Sequence, residues 1–233
     1  MRSRKARAFL RNRTAVLGGI LAVLIVFVAF LSPVIAPYDP LKQNVYNMLA
    51  RPGGLHLLGT DDLGRDVLSR VLYGARVSLI VGLSSVLIGT AVGAFVGLVA
   101  GYFGGRLELG VMRVVDILMS FPVLVMGLMF MAILGPGIDK LILAIGLVLS
   151  PQIARLTHGA VVTLRDVEYI TAARAVGSGP WRILRCHVLP NVLGEILVMG
   201  TLWTATAIRV EANLSFIGLG VSPPTPTWGN MIR

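Results

Sequence analysis

DVEYITAARAVGSGPWRILRCHVLPN, residues Asp166 to Asn191, is amphipathic, and the runs on both sides of it are apolar. Its first twenty residues carry five charges. Thr163 and Asp166 have the T-x-x-D spacing of a capping box, which satisfies free amide hydrogens at a helix start. Val167, Ile170, Ala173 and Val176 then recur at helical spacing and predict one apolar face. Gly177 is placed to take the left-handed conformation that ends a helix. Pro180 suits the first turn of a second helix, where the amide hydrogen it lacks would be unpaired anyway. That helix is expected to weaken at Leu189, because a residue before proline avoids the helical region. The stretch predicts two short helices joined by a bend and lying against a membrane, with Arg174, Arg182 and Arg185 on the polar side.

Composition turns the flanking runs into membrane spans. Hydrophobic residues make up 55% of the 233 and charged residues only 14%, and the apolar residues come in blocks, which defines an all-α polytopic membrane protein. The net charge of +10 does not describe a nucleic-acid groove. Six of the 21 basic residues fall in the first thirteen positions and five between Arg155 and Arg185. Both clusters flank apolar spans, as the positive-inside rule requires, so no nucleic-acid partner is expected. Cys186 is the only cysteine and excludes an internal disulfide.

Upstream, residues 1–13 are a basic tail expected in the cytoplasm, and 14–36 form a first, uncleaved span. Residues 37–76 are mixed in charge and expected outside. Val67, Leu68, Val71, Leu72 and Ala75 form a helix face there, and Asp66 stands four residues before Arg70, a spacing that favours an ion pair. Residues 77–233 are expected to form the membrane core. Its first uncharged run, Val77 to Gly105, places Ser85, Gly89, Gly93, Gly97 and Gly101 four apart. Such a stripe lets another helix approach closely in lipid, within this chain or in a second subunit.

A turn at Gly104-Gly105-Arg106 leads to a third run, Ile117 to Ile138, which Pro122 should bend. Asp116 at its start reads as a cap or interfacial charge, and Met119, Met126, Met129 and Met131 as core. A turn at Gly135-Pro136-Gly137 precedes the fourth run, Leu141 to Ala154, which serves as a span when extended to His158. Val192 to Val210 is the fifth. His158 and His187 lack the neighbours of a metal site and read as structural, so no metal is expected. Trp203, Glu211 and Asn213 are candidates to face a translocation path.

The central stretch also carries a resemblance. Thr171-Ala172-Ala173, three residues, Gly177, nine residues, then His187-Val188-Leu189-Pro190 resembles the E-A-A, G, I-x-L-P loop of ABC importer inner-membrane permeases. Thr171 stands in place of Glu and His187 in place of Ile. The Arg185-to-Asn191 ending is similar to that of the dipeptide/oligopeptide/nickel branch. Leu58-Gly59-Thr60-Asp61, Gly64-Arg65-Asp66, Ser69-Arg70 and Tyr73-Gly74-Ala75-Arg76 resemble the segment before the second membrane helix of its C-type subunit. Leu214 to Gly220 and Pro223 to Gly229 are similar to the outer loop region before that family's last helix.

The resemblance implies a type I permease fold in the plasma membrane, with residues 163–190 as a cytoplasmic coupling loop. In that loop Thr171, Ala172, Ala173, Arg174, Gly177, His187, Leu189 and Pro190 are the carried-over positions. Five spans from an inside N-terminus end outside; the resembling permeases have a sixth that ends inside, and in this sequence, which stops at Arg233, that last helix is expected to be absent.

No G-x-x-x-x-G-K-[ST] loop and no nucleophile–base set occurs, so the chain is expected to have no catalytic residue and no cofactor. ATP and Mg belong to partners in this reading. The implied partners are a second homologous permease, two ABC ATPase subunits or domains, an extracytoplasmic substrate-binding protein and membrane lipid. Import of di- or oligopeptides is the expected function. Transport of nickel or another small solute, or a non-ABC channel or scaffold, stays open on the sequence.

Overall fold

The computed structural model describes residues 11–232. Residues 1–10 of the basic tail lie outside the described residues. The described chain is helical, with no named strand: α1 (Arg13–Ile35), α2 (Val67–Phe103), α3 (Gly105–Met119), α4 (Val123–Leu134), α5 (Ile138–Leu164), α6 (Glu168–Ala175), α7 (Pro180–Ile183), a π-helical turn (Leu184–Val188) and α8 (Leu189–Ile217). Four helices are long and apolar enough to cross a membrane, or five if the α3–α4 pair is one broken span. The described residues divide into two compact units, 11–79 with 223–232 and 80–222.

In the first unit, Asn12 caps α1 by accepting from the amides of Thr14 and Ala15. Only Ala29 and Ser32 of α1 are buried, so its apolar surface is left for lipid. Pro33 lacks the amide that would reach the Ala29 carbonyl, and the Ser32 hydroxyl takes that acceptor at 2.9 Å. The segment after α1 doubles back on α2. The Tyr38 amide donates to Ser69 Oγ at 3.1 Å, and Arg70 Nη1 to the Pro40 carbonyl at 3.3 Å. Trp228 closes this unit, donating Nε1 to the Val71 carbonyl at 3.2 Å.

In the second unit α5 is the central rod. Leu141, Ala144, Ile145, Val148 and Leu149 on it are fully buried. Ser150-Pro151 repeats the device of α1: Ser150 Oγ donates to the Leu147 carbonyl, the acceptor Pro151 cannot serve. This helix runs ten residues past Ala154, where the uncharged run ends, and takes in His158, as the extended fourth span requires.

Other boundaries differ from the sequence expectation. Pro122 does more than bend the third run: α3 and α4 meet at 97°. The second span starts at Val67, before the uncharged run, and the fifth joins α7 through the π turn into one helix, Pro180–Ile217. Met126 and Met131 are core, but Met119 and Met129 are exposed. The turns at Gly104-Gly105 and Gly135-Pro136-Gly137 form, each on glycines at positive φ.

Candidate functional site

The stretch from Asp166 to Asn191 folds as two helices around a glycine bend. The α6 helix ends in a Schellman closure: the Gly177 amide donates to the Arg174 carbonyl at 2.9 Å and the Ser178 amide to Ala173 at 3.0 Å. Gly177 has φ +81°, and a Cβ there would meet nothing within 4 Å, so backbone conformation alone demands glycine. Pro180 stands in the first turn of α7.

Three local expectations are overturned. The capping box does not form, because Thr163 is still inside α5 and donates to the Gly159 carbonyl at 3.0 Å. Val167 takes the cap position of α6 without a side-chain bond. The apolar face is narrower than its spacing implied: Ile170 is fully buried, but Val176 is 83% exposed and Val167 is exposed too. The chain does not weaken at Leu189. A π turn inserts instead, and the Leu189 amide donates to Leu184. The wider turn carries the helix into Pro190 without a break.

Of the carried-over positions, Thr171, Ala172, Arg174, Gly177 and Pro190 are exposed, while Ala173, His187 and Leu189 are half-buried. The His187 ring lies 6.5 Å from that of Tyr169. Underneath, Ile170, Ile183, Leu184 and Val188 pack with Val161, Ala94, Val192 and Ile196. The bent pair thus has a buried inner face that fixes it to α2, α5 and α8. Its outer face shows Val176 and Trp181, the latter 60% exposed.

The glycine stripe lies on α5. A Cβ at Gly89 would come within 2.8 Å of the Gly146 carbonyl, one at Gly97 within 2.7 Å of Thr157 Cβ, and one at Gly101 within 2.9 Å of Val161 Cβ. At Gly93 it would overlap the Ser150 carbonyl. The partner left open by the sequence is therefore in this chain.

Two polar arrangements had no sequence signal. Glu108 of α3 reaches His158 and Arg165 of α5, at 2.7 and 3.4 Å. Asp116 is not a cap: it lies inside α3 and pairs with Arg155, with both side chains partly exposed. His158 is thereby a structural histidine with a defined partner. Among the described residues no group of three or more His, Cys, Asp or Glu could hold a metal. Of the path candidates, Glu211 is buried and accepts from Ser215 Oγ at 2.7 Å, Trp203 is half-buried and Asn213 exposed.

In the connecting segment the expected Asp66–Arg70 pair does not form. Asp66 instead caps α2, accepting from the Ser69 amide and hydroxyl at 2.8 and 2.7 Å, and lies 2.9 Å from His56 Nδ1. A carboxylate one turn ahead is worth more to the free amides of a helix start than to a side chain beyond them. Arg70 pairs with Asp61 at 3.3 Å, and Asp61 also holds Arg65 at 2.7 Å. Burial pushes both carboxyls up, but hydrogen bonds outweigh it and hold both below the usual carboxylate range. The donors are Ser69 and His56 for Asp66, and Arg65 and the Leu63 amide for Asp61.

A bundle of apolar helices on a central rod, with a bent amphipathic pair fixed against three of them, defines a multi-pass membrane protein. Residues 93–233 match the family described as binding-protein-dependent transport system inner membrane component, and residues 3–52 match the N-terminal TM domain of oligopeptide transport permease C. The chain belongs to this family of inner-membrane permeases, in its C-type branch. It is 43% identical over 232 residues to a di/tripeptide transport system permease protein of Pseudomonas aeruginosa, covering 97% of this chain and 77% of that one. It is 38% identical to a glutathione transport system permease protein of Pectobacterium atrosepticum, covering 97% and 76%. A dipeptide transport system permease protein of Haemophilus influenzae is also 38% identical, covering 96% and 78%.

Proposed function

We propose that this chain is the translocating subunit of an ATP-driven importer of short peptides, moved by separate ATPase subunits that grip residues 163–190. The named substrates of its relatives, di- and tripeptides, dipeptides and the tripeptide glutathione, support the substrate class. The chain supplies the path and the lever. ATP and Mg are handled by two ABC subunits, a second permease completes the path, and an extracytoplasmic protein delivers the peptide. The N-terminus and the lever lie on the cytoplasmic side, where both basic clusters are favoured.

One observation carries the lever reading: the bent pair is fixed below and bare above. Ile170, Ile183 and Val188 are fully buried, while Val176 is 83% and Trp181 60% exposed. A push on Val176 or Trp181 would reach α5 and α8 because the buried face cannot slide independently of them. A loose loop would absorb the same push.

Gly177→Val tests this. Valine at φ +81° strains the bend by about 1–2 kcal/mol or more without filling any space. In the reconstituted complex the variant should assemble and hydrolyse ATP while importing several-fold less peptide. A companion Val176→Cys, made on a Cys186→Ser background, should crosslink to the ATPase subunit. Normal import by an assembled Gly177→Val complex would overturn the lever.

A further inference from the structure

Glu108 lies in the first turn of α3, and its carboxylate reaches two other helices. Oε1 is 2.7 Å from His158 Nε2, and Oε2 accepts from Arg165 Nη1 at 3.4 Å. The same Nη1 donates to the Gly101 carbonyl at 3.3 Å, in the last turn of α2. One cluster therefore ties the end of α2, the start of α3 and the end of α5.

The lever is tied to it as well. Arg174 of α6 donates Nη2 to the Arg165 carbonyl at 3.1 Å, and its guanidinium stands 5.3 Å over the Tyr102 ring. The α2–α3 turn leaves room for this. Gly104 and Gly105 both have positive φ, and a Cβ at Gly104 would come within 3.0 Å of Arg165 Nη1. Arg165 enters where residue 104 has no side chain. Glu108 and Arg165 keep only 24% and 29% of their side chains exposed, so water competes weakly for the pair.

Without Glu108, α3 would keep its apolar contact with α5 and the Asp116–Arg155 pair farther along, but no tie at the end of α5 next to the lever. With it, α3 is pinned to the residue from which α6 departs, and α3 leads through the 97° break into α4. We infer that Glu108 is a positioning residue that carries the movement of the coupling helix into the broken α3–α4 arm, fastening it through Arg165 and His158. This inference rests on the lever reading above.

The test measures peptide imported per ATP hydrolysed in proteoliposomes holding the whole complex. Glu108→Ala should lower that ratio about three- to tenfold with the ATPase still bound. Glu108→Gln keeps the length and one hydrogen bond and should retain more than half of it. If the Ala variant fails to insert and fold, Glu108→Gln is read against Glu108→Lys, which should show the lower ratio; equal ratios overturn the inference. On an Arg165→Ala background Glu108→Ala should cause little further loss, since the two act as one unit.

An unchanged ratio in an assembled Glu108→Ala complex overturns the inference. So does a parallel fall of import and hydrolysis as ATPase subunits dissociate, which would mark a merely structural role. The Val176→Cys crosslink separates the two readings. A crosslink with an unchanged ratio sinks only the role of Glu108, whereas no crosslink in the otherwise native complex sinks the lever and this inference together.

Discussion

A single methyl group at Gly97 would stand 2.7 Å from Thr157 Cβ and 2.5 Å from the Ala154 carbonyl. Backbone cannot step aside as a flexible side chain can. Gly97→Ala should therefore force α2 away from α5 and cost about 1–3 kcal/mol. Gly194 on α8 is the control, because a Cβ there meets nothing within 4 Å. Gly194→Ala should be neutral or raise stability by about 0.4–1 kcal/mol, since alanine loses less chain entropy in a helix. Thermal unfolding of the two variants in detergent checks the pair: equal midpoints would mean that the stripe does not hold these helices together. The stripe was legible in the sequence because four-residue spacing of small side chains has one strong physical use in lipid. Glu108 was not legible, because its partners lie 50 and 57 residues away and no local pattern points to them.

At the scale of elements, apolar runs located the spans but not their ends. α5 continues past Ala154 through Arg155 and His158 to Leu164, because a long polar side chain near a helix end costs little when its head can reach water. The T-x-x-D spacing misled for the same reason: Thr163 was still inside that helix. Gly177 and Pro180 were legible since each has a backbone preference that context seldom reverses. Leu189-Pro190 was misread, because a π turn relieves the clash that usually ends a helix before proline. The connecting segment makes a prediction of its own. Asp61 and Asp66 are held below their ordinary range when folded, so the unfolded segment binds protons more readily. Their stabilisation is complete above the unfolded carboxylate range and is lost as pH falls below about 4 and through the lower folded values. Amide protection at Arg65 and Ser69, corrected for intrinsic exchange, should drop over that acid window. Asp66→Asn should start lower at neutral pH and show a flatter fall. Protection that rose in acid would contradict the hydrogen-bond account.

For the whole molecule, the bend at Pro122 decides a question of parity. Counting α1, α2, the α3–α4 pair, α5 and α8 as crossings gives five, against four if the bent pair re-enters on the side it left. The segment 36–66 follows one crossing in either case. Residues 163–190 follow four crossings in the first case and three in the second. The two loops therefore lie on opposite sides of the membrane if α3–α4 spans it, and on the same side if it does not. The permease reading requires opposite sides, with the basic residues from Arg155 to Arg185 inside. Arg174→Cys and Leu57→Cys, each on a Cys186→Ser background, report on the two loops; Leu57 is 64% exposed, and Cys186 is exposed and would otherwise react. A membrane-impermeant maleimide should label Leu57→Cys on intact cells and Arg174→Cys only after permeabilisation. Labelling of both from outside would make the 97° pair re-entrant and leave the bent lever facing away from any cytoplasmic ATPase. The five-crossing path and the coupling role would then fall together, because both depend on the same broken arm reaching the far side of the bilayer.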